Sequence, residues 1–156
     1  MQPALISVGV AIMMLSNIGF NGFQLKSSSC KINRVSDSGT FNVYFSDSDI
    51  NLIKNEDSND QKILISYHVE MIGYSEGCDP SDDEAEPAFE AQFALETAFL
   101  DTNEKPMDEK DIEENMWFFE NFNQISFKIA AENTFKNSNI SDIPIPWTAK
   151  VAVLGE

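Results

Sequence analysis

The residue types that most often do chemistry are few in this chain and poorly placed for it. His68 is the only histidine, and Cys30 and Cys78 are the only cysteines. In the alternating run ISYHVEMIGY, a structural or exposed role for His68 is favoured over work as a general base. Neither cysteine has a CxxC partner, so reduced thiols are favoured over a disulfide or a metal site. Because no Ser/His/Asp or Cys/His constellation can be assembled, we predict that the protein is not an enzyme and needs no cofactor.

A dense run of acidic side chains is the other candidate for chemistry. It lies in the segment EGCDPSDDEAEP, residues 76–87, between two apolar runs. Clustered carboxylates can bind a cation, but this segment lacks the residue order and the distal glutamate of a calcium-binding loop. A solvated hairpin loop that recruits a basic partner, such as the tail of a translocase, is therefore favoured over a metal site. The carboxylates concerned are Asp79, Asp82, Asp83, Glu84 and Glu86.

The composition limits the classes of partner. The chain has 156 residues, a length that suits one domain with a buried core. Its 26 acidic and 10 basic residues give a formal net charge of -16. A field of that sign repels phosphates and anionic lipid heads, so we expect neither nucleic acid binding nor membrane insertion. The hydrophobic content of 42%, with 12 phenylalanines, is too high for a disordered acidic chain.

Residues 1–20 form an apolar extension for which three interpretations stay open. The run LISVGVAIMML has the length of a signal-peptide core but is too short to span a membrane. No basic residue precedes Lys26, and no A-x-A cleavage site follows, so a cleaved signal is the less favoured interpretation. Otherwise the segment is packed as a strand or helix, or it lies upstream of a true start at Met13 or Met14. We assign residues 21–156 to a single domain, which is cytoplasmic unless residues 1–20 are a signal.

Alternation of apolar and polar residues predicts four β-strands. Residues 62–74 and 88–99 show it most clearly, and both also carry apolar or small residues on the second face. Residues 40–45 show it over a shorter length, and residues 23–33 show it weakly because three serines interrupt one face. The polar segment that joins residues 40–45 to residues 62–74, residues 46–61, is predicted to be a connector.

A long helix is predicted after the strands. Asp108 is a candidate N-cap, and three acidic residues, Asp111, Glu113 and Glu114, suit a first turn. Spacings of four, three and four then predict a helical apolar face that ends near residue 133. Pro144 and Pro146 exclude a helix beyond that point and favour an extended segment, residues 143–147. The predicted face consists of Phe118, Phe122, Ile125 and Ile129, widened by Met116 and Phe119.

Strands followed by one long helix predict an α+β fold. The expected architecture is a four-stranded antiparallel sheet, a long C-terminal helix on one face and a proline-bearing extended segment. The opposite sheet face would carry Leu64, Ile72, Ala94 and Ala98. An exposed apolar patch of that kind indicates assembly or the binding of a client polypeptide.

The C-terminal part of the pattern resembles the SecB-type protein-export chaperones. Residues 132–147, ENTFKNSNISDIPIPW, place Thr134-Phe135 before Ile143-Pro144 and an aromatic residue, as in that family. The chain departs from it at residues 118–123, FFENFN, which lack the usual proline and arginine. The resemblance implies an ATP-independent holdase, homo-oligomeric as a dimer or tetramer, which binds unfolded or precursor polypeptides and, in export, a SecA-like translocase segment.

The resemblance also implies a set of client-binding residues. An apolar groove that accepts many sequences would be lined by aromatic and aliphatic side chains of the late strands and the C-terminal segment. Ordinary core packing competes with that interpretation for each of them. A different class of protein also fits the charge: a small acidic immunity, antitoxin-associated or inhibitor protein that binds one basic target. The predicted client-binding residues are Met71, Phe93, Phe135, Ile143, Ile145 and Trp147.

Overall fold

The computed structural model describes residues 12–34, 38–136 and 145 of the chain. A five-stranded antiparallel sheet precedes two helices, α1 (Glu109–Glu114) and α2 (Met116–Phe135). The sheet order is β1-β5-β4-β2, and β3 pairs with β4 beside β2. The predicted α+β class with an antiparallel sheet and a long C-terminal helix is confirmed. The strands are β1 (Ile18–Ile32), β2 (Gly39–Phe45), β3 (Asp49–Lys54), β4 (Gln61–Ser75) and β5 (Phe89–Asp101).

The centre of the sheet is formed by β4 and β5, which pair over their whole length. In both strands every second side chain is buried and faces α2. Val69 lies opposite Phe93 and Met71 opposite Ala91, so the two buried rows meet in register. Because the side-chain period of a strand is two, this register places both apolar rows against the helix. The acidic loop, residues 76–88, joins the two strands as the predicted hairpin connection.

One strand was not predicted. β3 lies inside the polar stretch that was predicted to be a connector, so the sheet has five strands rather than four. Ile50 and Leu52 are half-buried opposite Ile65 and Ile63 of β4. Six residues with two inward apolar side chains give a weak alternation signal, and the acidic and amide residues around them mask it.

The first strand begins earlier than predicted, and the proposed domain boundary at residue 21 falls within it. A helical turn at residues 12–15 precedes β1, and Leu15 and Ile18 are buried with the core residues Phe99 and Phe119. The three serines near the middle of β1 are exposed, which a strand at the edge of a sheet tolerates.

A buried carboxylate holds the start of β1 to the end of β5. Asp101 is fully buried and accepts hydrogen bonds from the backbone N–H of Met107 at 2.7 Å and of Asn103 at 3.0 Å. The Asn103 amide also donates to Asp101 at 2.8 Å and to the carbonyl of Met14 at 3.0 Å. Gln61 donates to the same carboxylate at 3.2 Å. The charge is therefore satisfied by N–H donors, and the turn at residues 12–17 is tied to the sheet.

The predicted helix N-cap is confirmed, but the predicted helix is split at Asn115. Asp108 accepts from the backbone N–H of Asp111 at 2.8 Å, and Asp111 accepts from that of Asp108 at 3.0 Å, which is a capping box at the start of α1. α2 begins directly after Asn115 and continues to Phe135, two residues beyond the predicted end. No helix in the described part of the chain combines the length and apolar character that a membrane span needs.

The side of α2 that faces the sheet differs in part from the predicted one. Ile125 and Ile129, which belong to the predicted apolar face, are each 37% exposed, whereas Asn123 and Ser126 are buried. Asn123 is satisfied there: its side-chain oxygen accepts from the Thr97 hydroxyl, and its carbonyl accepts from the Tyr67 hydroxyl, both at 2.8 Å. A buried polar group that is hydrogen-bonded carries little penalty, so hydrophobicity alone identified only part of the buried face: Phe119 is buried as predicted, and Phe118 and Phe122 pack against the core. The buried apolar residues of α2 are Phe119, Phe127, Ala130, Ala131 and Phe135.

Candidate functional site

A row of large apolar side chains runs along α2 on its β1 side and is only partly covered. Phe118 and Phe122 are half-buried, and Ile125 and Ile129 follow them with more than a third of their surface exposed. The four recur at spacings of four, three and four, so they lie on one helix face. Phe122 also packs edge to face on the buried Phe99 of β5, with ring centroids 5.5 Å apart, so the N-terminal end of the row borders the core. The more deeply buried face of α2 carries Phe127 and its buried neighbours.

The edge strand continues this apolar surface. The ring of Phe20 stacks on that of Phe122, with centroids 4.9 Å apart and an interplanar angle of 26°, yet Phe20 remains 40% exposed. Phe23 and Leu25 follow on the helix-facing side of β1 and are half-buried. We refer to this surface as the α2–β1 stripe; its residues are Phe20, Phe23, Leu25, Phe118, Phe122, Ile125 and Ile129.

The strand beside the stripe also has an open edge. β1 pairs with β5 on one side, and no strand among residues 12–34, 38–136 and 145 pairs with its other side. Bulges between Phe20 and Phe23 and between Leu25 and Ser27 twist this edge, and Gly22 has a positive φ of 100° that favours glycine. An open edge offers backbone donors and acceptors to another extended chain, while the stripe offers apolar contacts. Together they can bind an extended apolar segment.

Four of the six predicted client-binding residues lie in the core. Met71, Phe93, Phe135 and Ile145 are at most 3% exposed, and the rings of Phe93 and Phe135 pack edge to face at 5.8 Å. Ile145 is held over this cluster by Lys128, whose ammonium donates to the Ile145 carbonyl at 2.6 Å. In this conformation a client has no access to them, so their client-binding role stays a prediction that requires α2 or residue 145 to move. Ile143 and Trp147 lie outside the described residues.

The predicted acidic surface is a solvent-exposed loop. Asp79 organises its start, because its carboxylate accepts from the Ser81 backbone N–H at 2.9 Å and from the Ser81 hydroxyl at 2.7 Å; these bonds lower the pKa of Asp79. Glu86 lies 3.5 Å from the Arg34 guanidinium. No group of three or more His, Cys, Asp or Glu side chains suited to a metal is found in the described residues. The exposed carboxylates of the acidic loop are Asp79, Asp82, Asp83, Glu84 and Glu86.

The sheet face opposite the helices is less apolar than predicted. Leu64, Ile72, Ala94 and Ala98 lie on it and are half-buried. Leu64 and Ala98 are cross-strand partners, whereas Ile72 lies opposite Glu90 and Ala94 opposite His68, so the four do not join into one continuous row. A shallow depression of about 590 Å³ on this face is lined by both polar and apolar residues. His68 is exposed there, in agreement with the structural or exposed role predicted for it; the polar lining includes Ser27, Ser29, Ser46, His68, Glu70 and Gln92.

Both cysteines are free thiols. Cys30 is exposed on β1, and Cys78 is half-buried at the start of the acidic loop. Partial burial raises the pKa of the Cys30 thiol, which reduces its thiolate fraction at neutral pH. Burial is the single cause of the shift, so no electropositive neighbour activates Cys30 as a nucleophile.

The α2–β1 stripe was missed by sequence reasoning although all of its residues were visible. The sequence shows two overlapping apolar faces on one helix, one centred on Phe122 and Ile125 and the other on Phe127 and Ala131. Their combined width exceeds the stripe of about 100° that one sheet normally covers. An apolar arc wider than the sheet can bury was the signal that one side of the helix stays accessible.

Comparison with known proteins supports the fold at the level of structure. No protein-family model matches the chain, and no curated protein matches its sequence. A solved structure with a similar fold is the SecB-like chaperone Rv1957 of Mycobacterium tuberculosis, in complex with a ChAD peptide from the Rv1956 HigA1 antitoxin. The TM-score is 0.60 at 11% sequence identity, over 92% of this chain and 96% of Rv1957. The chain therefore has a SecB-like fold.

Proposed function

We propose that this protein is a chaperone that holds unfolded or extended polypeptide segments on the α2–β1 stripe without ATP. The observation that carries the proposal is the pairing of large, partly exposed apolar side chains with the open edge of β1. An extended client would add backbone hydrogen bonds along the edge and place alternate side chains on the stripe. Such binding depends little on sequence, as a holdase requires.

The fold and the charge support the same proposal. The fold is shared with a chaperone that, by its description, binds a peptide of an antitoxin. The net charge of -16 would keep a loaded complex soluble and would attract basic unfolded segments. In this proposal the protein is not an enzyme, is cytoplasmic and serves either export, with a SecA-like partner, or one dedicated partner protein.

Assembly belongs to the same proposal. An apolar stripe next to an open strand edge also suits contact with a second copy of the chain, in a dimer or tetramer. The expected assembly leaves part of the stripe accessible, since a fully covered stripe would have no room for a client. Native mass measured on the loaded and unloaded protein reports the number of copies.

The test is suppression of aggregation of a chemically unfolded protein, without nucleotide. The double variant Ile125→Ser/Ile129→Ser should lose most of the suppression, because it removes aliphatic groups from the stripe. Ile53→Ser is the matched control: Ile53 is 46% exposed on β3, on the opposite face of the sheet. Equal loss in the control, or full activity in the stripe variant, would contradict the proposed site.

An acidic inhibitor of one basic protein is the alternative function. The exposed acidic loop favours it, because five carboxylates there lie within eight residues, 79–86. Such a protein would leave unfolded clients alone and bind one folded target, with an affinity that falls steeply as salt rises. A monomer that suppresses no aggregation would reject the chaperone proposal and favour this alternative.

A further inference from the structure

The sheet has a second open edge, which β2 forms on the side farthest from β1. β2 pairs with β4 from Gly39 to Phe45, and within the described part of the chain no strand pairs with its other side. Charged residues, prolines and bulges usually protect such an edge. β2, GTFNVYF, contains no charged residue and no proline, and its register with β4 is continuous. The edge is therefore open to another extended chain.

The backbone of β2 directs every second residue towards this edge. After the strand, the Ser46 N–H donates to the His68 carbonyl of β4 at 2.9 Å. Before the strand, the Ser38 carbonyl accepts from the Glu76 N–H at 3.1 Å. Because bonded and non-bonded pairs alternate in an antiparallel ladder, the even-numbered residues of β2 bond to β4 and the odd-numbered ones point their N–H and C=O groups away from it. The outward residues are Gly39, Phe41, Val43 and Phe45.

Large side chains flank the open edge on both faces of the sheet. Tyr44 is 53% exposed on the face opposite the helices. Phe45 is 42% exposed on the helix side, where its ring packs edge to face on that of Phe127 at 5.5 Å. Phe41 and Val43 lie on the same side and are half-buried against the core. A strand added to β2 would cover apolar surface on both faces.

Carboxylates lie at both ends of β2. Asp47 and Asp49 follow its last residue, and both are exposed. At the other end Glu76, the first residue of the acidic segment, bonds to the backbone of Ser38 directly before the strand. Residues 38–53 contain no lysine or arginine. The surface is therefore apolar over the length of β2, about 23 Å for a seven-residue strand, and acidic at each end.

We propose that β2 binds an extended polypeptide segment that has an apolar centre and basic residues on both sides of it. The segment pairs with the open edge as an additional strand, and its backbone hydrogen bonds and apolar contacts supply affinity. Attraction between its basic ends and the flanking carboxylates fixes its position along β2. The α2–β1 stripe lies at the other edge of the sheet, so this site goes beyond the proposed chaperone function and does not depend on it.

The charges favour a separate basic segment over a second copy of the chain. The β2 edge of a second copy carries the same carboxylates and is repelled. Its β1 edge carries Lys26, Lys31 and Arg34, but Lys26 lies 3.6 Å from Glu96 and Arg34 lies 3.5 Å from Glu86 of the same chain. Pairing of β1 with β2 of the next copy is also head to tail, which builds rings or open filaments rather than a closed dimer.

The first test measures the binding of the synthetic peptide KRTVTVTVTRK to the full-length protein by fluorescence anisotropy. The peptide EETVTVTVTEE, with the charge reversed, should bind more weakly by about tenfold or more. The basic peptide N-methylated at two adjacent central residues cannot pair along either of its edges, and it should lose affinity by a similar factor. Absence of binding by the first peptide, or equal affinity of all three, would overturn the proposal.

Amide hydrogen exchange locates the bound peptide. In the free protein the N–H groups of Phe41 and Val43 should exchange faster than those of Asn42 and Tyr44, which bond to β4. The peptide should slow the exchange of Phe41 and Val43 and leave the outward N–H groups of β1 unchanged. Slow exchange of Phe41 and Val43 before the peptide is added would show that the edge is already covered. That result, or protection confined to β1, would overturn the proposal.

Charge variants test the position of the segment. Asp47→Asn/Asp49→Asn should weaken peptide binding by about threefold or more, because ion pairs at one end of β2 are lost. Glu56→Gln/Asp57→Asn is the matched control, since it makes the same change of charge in the exposed turn between β3 and β4. Equal weakening by the two variants would overturn the assigned position.

The outcomes for the two proposals are distinguishable. Asp47→Asn/Asp49→Asn should keep the full suppression of aggregation, because it leaves the α2–β1 stripe intact. If the peptide binds β2 and the protein suppresses no aggregation, the β2 site stands and the chaperone function is wrong. If aggregation is suppressed through Ile125 and Ile129 and the peptide does not bind, the chaperone function stands and the β2 site is wrong.

Discussion

The two sides of α2 differ in a way that hydrophobicity alone does not describe. The side on the sheet buries Asn123, Ser126 and Ala130, whereas the side towards β1 leaves Ile125 and Ile129 each 37% exposed. Small and hydrogen-bonded residues let the helix approach the sheet closely, and large aliphatic residues remain outside. Apolar residues that the fold does not bury indicate a binding surface, since isolated monomers rarely keep a continuous apolar patch of this kind.

The largest expected effect is on the buried side. Phe127→Ala should lower the free energy of unfolding by about 3–5 kcal/mol, because it opens a cavity in the core. The Phe127 ring is fully buried and packs edge to face on Phe93 at 5.4 Å and on Phe45 at 5.5 Å. Urea unfolding measures the change. If the alanine variant does not fold, Phe127→Leu should still be measurably less stable; a neutral effect of both would contradict the assignment of the core face.

The second effect separates burial from hydrophobicity. Asn123→Ala removes the acceptor of the Thr97 hydroxyl, and we expect the unfolding free energy to fall by about 1–3 kcal/mol. The change makes the helix more apolar and raises its helix propensity, so a simple hydrophobic argument predicts the opposite sign. The exposed residue Asn121 is the control, and Asn121→Ala should be neutral or slightly stabilising. Increased stability of Asn123→Ala would show that the polar contact contributes nothing.

This contrast also explains how much the sequence could predict. The long strands β4 and β5 and the hairpin loop between them were predicted correctly, because strict alternation over a dozen residues has one interpretation. The existence of α2 and its N-terminal cap at Asp108 were also predictable from local chemistry. β3 was missed because only Ile50 and Leu52 carry its pattern.

The face of α2 could not be predicted from local pattern, because its choice depends on tertiary partners. The Asn123 side chain is tolerated in the core because the Thr97 hydroxyl arrives from the sheet and donates to it. The client-binding residues were inferred from resemblance, and Met71, Phe93 and Phe135 prove to be core residues in this conformation. The stripe consists of apolar residues of α2 and β1 that the sequence shows and that the fold leaves partly exposed.

A third effect depends on pH and concerns the hydrogen bond that Tyr67 of β4 donates to the Asn123 carbonyl of α2. Burial raises the pKa of Tyr67, so its hydroxyl stays neutral in the folded protein at a pH where it ionises in the unfolded chain. The stabilisation of the folded protein that comes from this raised pKa is fully present below pH 10, the ordinary tyrosine value. It is lost as pH rises above that value.

Tyr67→Phe removes this ionisation together with the hydrogen bond to the Asn123 carbonyl. At pH 8 the variant should be less stable than the parent by about 1 kcal/mol, and the difference should shrink by about 1 kcal/mol between pH 10 and pH 11. Tyr44 is 53% exposed, and Tyr44→Phe is the control that should keep the parent's pH dependence. A difference between Tyr67→Phe and the parent that does not change with pH would reject the buried hydroxyl as its source.

The smallest expected effect concerns the stripe itself. Ile125→Ala should change the free energy of unfolding by less than about 1 kcal/mol, because the side chain is only partly covered and alanine has the higher helix propensity. The same substitution at Ile65, which is fully buried in β4, should cost about 2–4 kcal/mol. Urea unfolding of the two variants at several protein concentrations measures both changes. If Ile125→Ala is as costly as Ile65→Ala and its cost grows with protein concentration, a second copy covers the stripe. If the cost is large at every concentration, the stripe is part of the folded core, and an accessible site for a client must be sought elsewhere.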